Sequence, residues 1–413
     1  MANALLDRLR ANDKKGLFKP AQTSVSYPTG FLPFDYKNGY TVDVIDENEN
    51  KIKSYASIGL RGGTFVTVIG KSGTAKTTFI VQSAFNMVRN FDNGFVMYFD
   101  LEQALNYTRI KQVTGAKQKE LKDKFLLKQE QNYIEDIFDT IVGIAKAKEE
   151  NKAEFTYDTG LLDEFGDRIS YYVPTVIVID SIPTLSSKDT SDQMEGSTLG
   201  NRNAKIIKQF YTRLMPIIKT YNITVMAINH INAKIEINPF AKSQPQLMYL
   251  KMDESLPGGN APIYYANNLL KFVSSNKYKK EDDGFDGFLI RLELLKSRTN
   301  KAGQYVNLVY DQERGFDPMR TMYYFAEDNK LVEGRNPYRY FKGFPELKFD
   351  SRKFRDAIEN DDLKRAMLTA CMPILDKFVG DKYDDNENDP KKDMSNYLTN
   401  ILPEFFDDGT EGK

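Results

Sequence analysis

GGTFVTVIGKSGTAKTTFIVQSAFNMVRN, residues 62–90, reads as a buried strand that runs straight into a glycine- and serine-rich loop and then a helix. That order is what a phosphate-binding loop requires. Backbone N–H groups and the helix N-terminus cradle phosphate oxygens, a lysine reaches the terminal ones, and a hydroxyl ligates the accompanying cation. The candidate cradle is Gly70, Lys71, Ser72, Gly73, Thr74, Ala75, Lys76, Thr77 and Thr78. Lys76 is the lysine and Thr77 the hydroxyl. Ala75 stands where the usual pattern has its second glycine.

Working outward, GFVMYFD (94–100), YVPTVIVID (172–180) and ITVMAINH (223–230) are further apolar strands separated by helical segments, notably 201–221. Strands alternating with helices predict an α/β fold with a mostly parallel central sheet covered on both faces. GFLIRLELLKSR (287–298) and YVNLVYD (305–311) follow one another without a helix and predict an antiparallel extension. Residues 41–58 read as an inserted hairpin turning at ENEN (47–50). Residues 2–12 carry Ala2, Leu5, Leu6 and Leu9 at helical spacing, and a polar linker follows. A helix this short needs something to pack on, its own domain or a neighbouring subunit. The expected organisation is an N-terminal oligomerisation helix and linker (1–22), a core (23–335), a small helical C-terminal domain (336–380) and an acidic tail (381–413).

Composition narrows the chemistry. One histidine and one cysteine, Cys371, exclude a structural zinc cage and an internal disulfide, so an essential metal should be a hard, oxygen-bound ion such as Mg²⁺. No apolar run approaches the roughly 20 residues of a membrane helix. The opening MANALLDRLR lacks a secretory pattern, so a cytoplasmic location is expected. The net charge is −1, but residues 381–413 hold ten acids against four lysines, which leaves the rest of the chain mildly basic. A basic body with an acidic tail suits nucleic-acid binding restrained by the tail, or a tail that only aids solubility.

Two acids follow strands. Asp180 ends VIVID, where a P-loop protein holds Mg²⁺ from the strand tip; plain turns also use Asp there. Glu102, in YFDLEQAL, is placed to orient an attacking water, with Asp100 as its rival.

Taken in order, YPTGFLPFD, the phosphate loop, DLEQAL, VIVIDS, AINH with a long loop after it, and GGNA (258–261) resemble the RecA recombinases. RNAKIIKQFYTRLMPIIKTYNITVMAINH, LPGGNAPIYYANN, ELLKSRT and KFRDAI are similar to the tailed-phage UvsX branch. The resemblance covers roughly residues 1–360. It implies a RecA-like P-loop ATPase core that uses ATP and Mg²⁺, with ATP between successive protomers of a helical filament. Such a filament forms on single-stranded DNA, pairs it with homologous duplex and exchanges strands, helped by a mediator and a single-strand-binding protein. On matching residues it implies that Thr77 and Asp180 hold the metal and that Glu102 is the catalytic acid. Lys296 and Arg298 are the cations that reach a neighbour's γ-phosphate. His230 is the polar γ-phosphate sensor, although a lone histidine also commonly serves as a structural residue. Arg109 stands at the usual adenine-stacking position, near Tyr107.

The resemblance also implies two DNA-binding regions. The first leads into a helix with Arg202, Lys205, Lys208 and Arg213; the second, 231–257, carries Lys234, Ile235, Ile237, Phe240, Lys242 and Lys251 and ends at Gly258, Gly259 and Asn260. Lysines on phosphates and apolar side chains between bases would hold a strand extended. The alternative is a hexameric DNA helicase of the same fold, which would close rings. A regulatory ATPase of this fold would hydrolyse ATP regardless of single strands.

Overall fold

The computed structural model describes residues 8, 11, 24–46, 50–130, 133–188, 199–233, 250, 254–277 and 287–379. The N-terminal oligomerisation helix therefore lies outside the described residues apart from helical Arg8 and Ala11, and so does the acidic tail. Among the described residues no helix is long and apolar enough to cross a membrane.

Strand β1 (Ser26–Tyr27) pairs with β4 (Leu60–Arg61), and helix α1 (Leu32–Asn38) and the hairpin β2–β3 (Tyr40–Ile45, Lys51–Ser57) lie between them in sequence. This hairpin overlaps the stretch read as an insertion. Next come β5 (Phe65–Gly70), α2 (Lys76–Val88), β6 (Phe95–Asp100), α3 (Tyr107–Thr114), α4 (Gln118–Lys124), β7 (Phe125–Lys128) and α5 (Ile134–Glu150). A second hairpin, β8–β9 (Thr156–Leu162, Arg168–Tyr172), precedes β10 (Thr175–Asp180), α6 (Leu199–Thr220) and β11 (Ile223–His230). The short pair β12 (Asn232–Ala233) and β13 (Glu254–Ser255) closes the base of the long loop. After it run α7 (Ala261–Tyr264), β14 (Asn268–Lys277), β15 (Gly287–Ser297), β16 (Gln304–Asp311), β17 (Gly315–Phe316) and α8 (Pro318–Asp328).

The central sheet orders β17-β16-β15-β14-β5-β11-β10-β6-β7. From β14 to β7 every pairing is parallel, and β15 to β17 add the antiparallel extension. The apolar runs are continuous because both faces are covered. Val66, Val68, Val96, Tyr98, Val176 and Val178 face α2 and its Phe79, Ile80 and Phe85. Alternate residues, Phe65, Met97, Phe99, Ile177 and Ile179, face Ile137 and Ile141 of α5 and Phe210 and Leu214 of α6.

The C-terminal region departs from the helical expectation. A three-stranded sheet, β18 (Val332–Arg335), β19 (Tyr338–Phe341) and β20 (Phe349–Asp350), comes before the long helix α9 (Asp361–Val379). Nor does it pack alone. Leu32 and Tyr36 of α1, Val42, Val44 and Tyr55 of the hairpin, and Met367, Cys371 and Leu375 of α9 share one buried cluster. The inserted hairpin and the C-terminal helix need each other to bury their apolar faces.

Away from the sheet tips, Lys148 of α5 is 3% exposed and donates to the carbonyls of Val173 at 2.7 Å and Tyr221 at 2.9 Å. Burial pushes its ammonium down to about 7 from 10.5. The folded chain therefore binds fewer protons than the unfolded chain between those values, and stability should rise as pH climbs from about 7 to 10. In Lys148→Met this part of the rise should vanish. Urea titrations at pH 6.5, 8 and 9.5 check it: the variant gains on the wild type at low pH and loses ground at high pH.

Candidate functional site

The phosphate loop leaves the central strand β5 at Gly70. A Cβ there would lie 2.8 Å from the carbonyl oxygen of Phe272 and 2.9 Å from Thr74 Oγ1, so only glycine lets the loop start beside β14. Gly73 follows at φ +75°. Thr74 Oγ1 and Lys76 Nζ both donate to the Lys71 carbonyl at 2.8 Å, which folds the lysine head back over the loop. No side chain caps α2, so its first N–H groups remain for an anion.

Ala75 precedes α2 at φ 60°, ψ 23°, a left-handed conformation that costs a residue with a Cβ about 1–2 kcal/mol. Ala75→Gly should therefore raise stability by roughly 0.5–1 kcal/mol after allowing for the greater freedom of an unfolded glycine. Chemical denaturation of the nucleotide-free protein checks this; a loss of stability would mean that the loop does not hold this conformation.

Acids gather at the tips of β6 and β10. Asp180 Oδ2 accepts from Tyr98 Oη at 2.7 Å and from Thr77 Oγ1 at 3.1 Å. Burial first, and then the charges of Glu102 and Asp100, push the Asp180 carboxyl up against those hydrogen bonds. A desolvated carboxylate beside a threonine hydroxyl and two further acids fits a hard cation bound through oxygen. Thr77 and Asp180 are the residues that would hold it.

Asp100 and Glu102 differ in what they face. Asp100 is buried and accepts from the Leu105 N–H and Gln129 Nε2, both at 2.8 Å, which pins the loop after β6. The Glu102 side chain is 38% exposed. Its Oε1 accepts from Ser181 Oγ at 2.6 Å and lies 3.2 Å from His230 Nε2. Partial burial raises the Glu102 carboxyl, but hydrogen bonds from Ser181 and His230 and the charges of His230 and Lys76 outweigh it, so the group is held below the usual carboxylate range. Lys76 is itself lowered by burial, against the attraction of Asp180 and Glu102. Lysine, two acids and histidine thus converge above the sheet.

Thr78 and Arg109, the latter expected beside the adenine, both meet the turn before β17. A Cβ on Gly315 would come within 2.9 Å of Thr78 Cγ2 and 3.1 Å of Val113 Cβ, so the turn before β17 lies close against α2 and α3. The Arg109 guanidinium donates to the Glu313 carbonyl and, at 3.3 Å, to Tyr310 Oη. It ties α3 to that turn.

The β11 tip joins the site to the long loop. Asn229 is fully buried; its Nδ2 donates to the Pro257 carbonyl at 2.9 Å and its Oδ1 accepts from the His230 N–H. Next in the chain, Gly258 and Gly259 have φ +81° and +72° and pack on Ile182 and Ala204. Lys205, Lys208, Asn260, Tyr264 and Tyr265 line a cavity of about 620 Å³. Arg213 is not on that face: its guanidinium sits 4.3 Å from the Phe138 ring centroid, against α5. Lys234, Ile235, Ile237, Phe240, Lys242 and Lys251 lie outside the described residues, as does the Arg202 side chain.

Lys296 and Arg298 come together, but not here. Lys296 Nζ donates to the carbonyls of Ile263 and Tyr264, both at 2.8 Å, and Arg298 donates to the Tyr264 carbonyl at 2.9 Å. Burial and then the charge of Arg298 lower the Lys296 ammonium to about 8. Lys296 pairs with Leu269, which pairs with Thr67, three residues before Gly70. At about 3.3 Å per residue that is roughly 10 Å below the phosphate loop, and two strand spacings to one side.

Sequence reading passed over Tyr98, Ser181 and Asn229 as functional candidates. The only signal was a polar atom at each position inside or beside an apolar strand.

Comparison with known proteins bears on the fold. The family described as "ATPase: KaiC" matches residues 49–215. The chain is also similar to Protein RecA of Francisella tularensis, 23% identical over 243 residues, which are 56% of this chain and 61% of that protein. Protein RecA of Francisella philomiragia is 23% identical over 207 residues, 48% and 53% of the two chains. The chain thus spans about three fifths of the length of the curated relatives it matches. The fold is that of a RecA-like ATPase domain, with a large, mostly parallel central sheet.

Proposed function

We propose that the chain is an ATP-dependent DNA recombinase of the kind its UvsX-like motifs suggest, polymerising on single-stranded DNA, pairing it with homologous duplex and exchanging strands. The observation that carries this reading is the register of β15. Lys296 and Arg298 lie together roughly 10 Å below their own phosphate loop and two strand spacings to one side. Neither side chain spans that gap, so cations at these positions serve a γ-phosphate only when it belongs to a second copy. Hydrolysis then requires assembly.

Each protomer would supply the rest. Lys76 and the uncapped start of α2 bind the phosphates. Glu102, held ionised, orients the water, and Mg²⁺ between Thr77 and Asp180 would supply positive charge at the phosphates. Through His230 and Asn229, Glu102 and the Pro257–Asn260 loop end share one strand tip, which would give a route from nucleotide to DNA. Lys205, Lys208 and Gly258–Asn260 are the described part of the DNA surface. Arg213, packed on Phe138 against α5, lies off that surface.

Electron microscopy with single-stranded DNA and a slowly hydrolysed ATP analogue tests the reading. Regular helical filaments that vanish without nucleotide support it. Closed rings would move the assignment to a hexameric helicase, and bare DNA beside dispersed monomers would remove the DNA-binding role.

A further inference from the structure

We propose that Asn38, the last residue of α1 and three residues past the YPTGFLPFD stretch, is the positioning residue that sets where Lys296 and Arg298 point. The proposal rests on the reading that these cations act on a second copy.

The two cations have flexible heads on a fixed base. Among the described residues their heads are held only by the carbonyls of Ile263 and Tyr264. A phosphate, as a stronger acceptor, displaces such neutral partners readily. Their backbone is held quite differently. Asn38 is 1% exposed, and its Oδ1 accepts from Asn268 Nδ2 at 2.6 Å and from Ser297 Oγ at 3.1 Å. Its backbone carbonyl accepts from Thr299 Oγ1 at 2.8 Å, and its Nδ2 donates to the Gly59 carbonyl at 2.7 Å.

Ser297 lies between the two cations in the chain. Its hydroxyl oxygen, oriented by Asn38, accepts from the N–H groups of Thr299 at 3.3 Å and Asn300 at 3.1 Å. The Arg298 N–H meanwhile donates to the Asn267 carbonyl at 3.0 Å. One buried carboxamide thus anchors the 297–300 turn to α1, to the start of β14 and to Gly59. Long cationic side chains reach a phosphate productively only if their backbone starts from the right place. A misplacement of about 1 Å at a reacting centre costs up to roughly 100-fold in rate.

Asn38→Ala and, more mildly, Ser297→Ala should lower the maximal ATPase rate on poly(dT) by about 10-fold or more. The KM for ATP and the affinity of the isolated protomer for a fluorescent ATP analogue should hold within about twofold, because that pocket is untouched. Ser297→Ala keeps the Asn38–Gly59 bond, so it guards against a folding defect in Asn38→Ala.

Mixing separates positioning from general damage. Glu102→Gln protomers have a dead pocket but intact cations, and Asn38→Ala protomers have the reverse. Neither should turn over ATP at the wild-type rate alone, and a one-to-one mixture should exceed both, because some junctions then join an intact pocket to intact cations. A mixture no more active than its components would overturn the assignment of Asn38. The same mixture with Lys296→Ala in place of Asn38→Ala is the control. If that control recovers activity while Asn38→Ala and Ser297→Ala both turn over normally, only the Asn38 proposal falls. If the control itself recovers nothing, the second-copy reading falls and this proposal with it.

Discussion

Replacing Lys76 by alanine should reduce ATP turnover about 10²- to 10³-fold and leave the protein folded. The magnitude is that of losing one preorganised donor from the charge-developing centre, about 3–4 kcal/mol. Lys76 is the cation that heads α2, and in the nucleotide-free protein its ammonium is satisfied by the Lys71 carbonyl within the same loop. That neutral partner can be exchanged for a phosphate oxygen without unfolding anything. Burial already disfavours the charge on Lys76, while Asp180 and Glu102 favour it. Removing it leaves two acids facing each other with less compensation, so ATP, which adds further negative charge, should also bind more weakly. Steady-state ATPase and equilibrium binding of a labelled nucleotide read the two effects. Turnover within tenfold of wild type would mean that the terminal phosphate lies elsewhere.

Lys296→Ala with Arg298→Ala should be as severe, about 10³-fold on DNA-stimulated turnover, the lower end for cations supplied to a transferring phosphoryl group. The pattern of the loss matters more than its size. Each protomer's own pocket contains neither residue, so nucleotide affinity of the dispersed protein should be unchanged. Single variants should differ. Lys296 is the more buried of the pair and touches two carbonyls, whereas Arg298 touches one. Arg298→Lys should rescue poorly, because a point charge does not reproduce a planar fork. Undiminished turnover in the double variant would remove the second-copy role.

Much of the fold was legible because its signals are local. The run at 65–70, the loop to 77 and the apolar face of 76–88 specify strand, turn and helix within one stretch, and the structure has β5 and α2 there. The strands at 95–100, 175–180 and 223–230 were equally plain, since burial on both faces leaves no polar interruption. Strand β14 was passed over because Lys271 breaks its apolar run. That lysine is buried and paired with Glu254 at 2.7 Å, a partner 17 residues away that no window reveals. The hairpin β8–β9 escapes the sequence because β8 buries none of its residues and alternates weakly, and the alternation of β9 spans only a few residues.

For the site, sequence alone determined the chemical inventory: a phosphate-loop lysine and threonine, acids after two strands, one histidine, and a basic pair late in the chain. Those choices are written in residue type and short spacing. It could not choose between Asp100 and Glu102, which stand two residues apart. Only the tertiary structure separates them, by giving Asp100 to the Leu105 N–H and Gln129 and turning Glu102 toward Ser181 and His230. Only the sheet register could tell that Lys296 and Arg298 lie away from their own loop, and only packing could bring Asn38 under the turn that carries them. Spacing along a chain sets which face a side chain occupies, whereas the distance between strands depends on how the whole sheet is ordered.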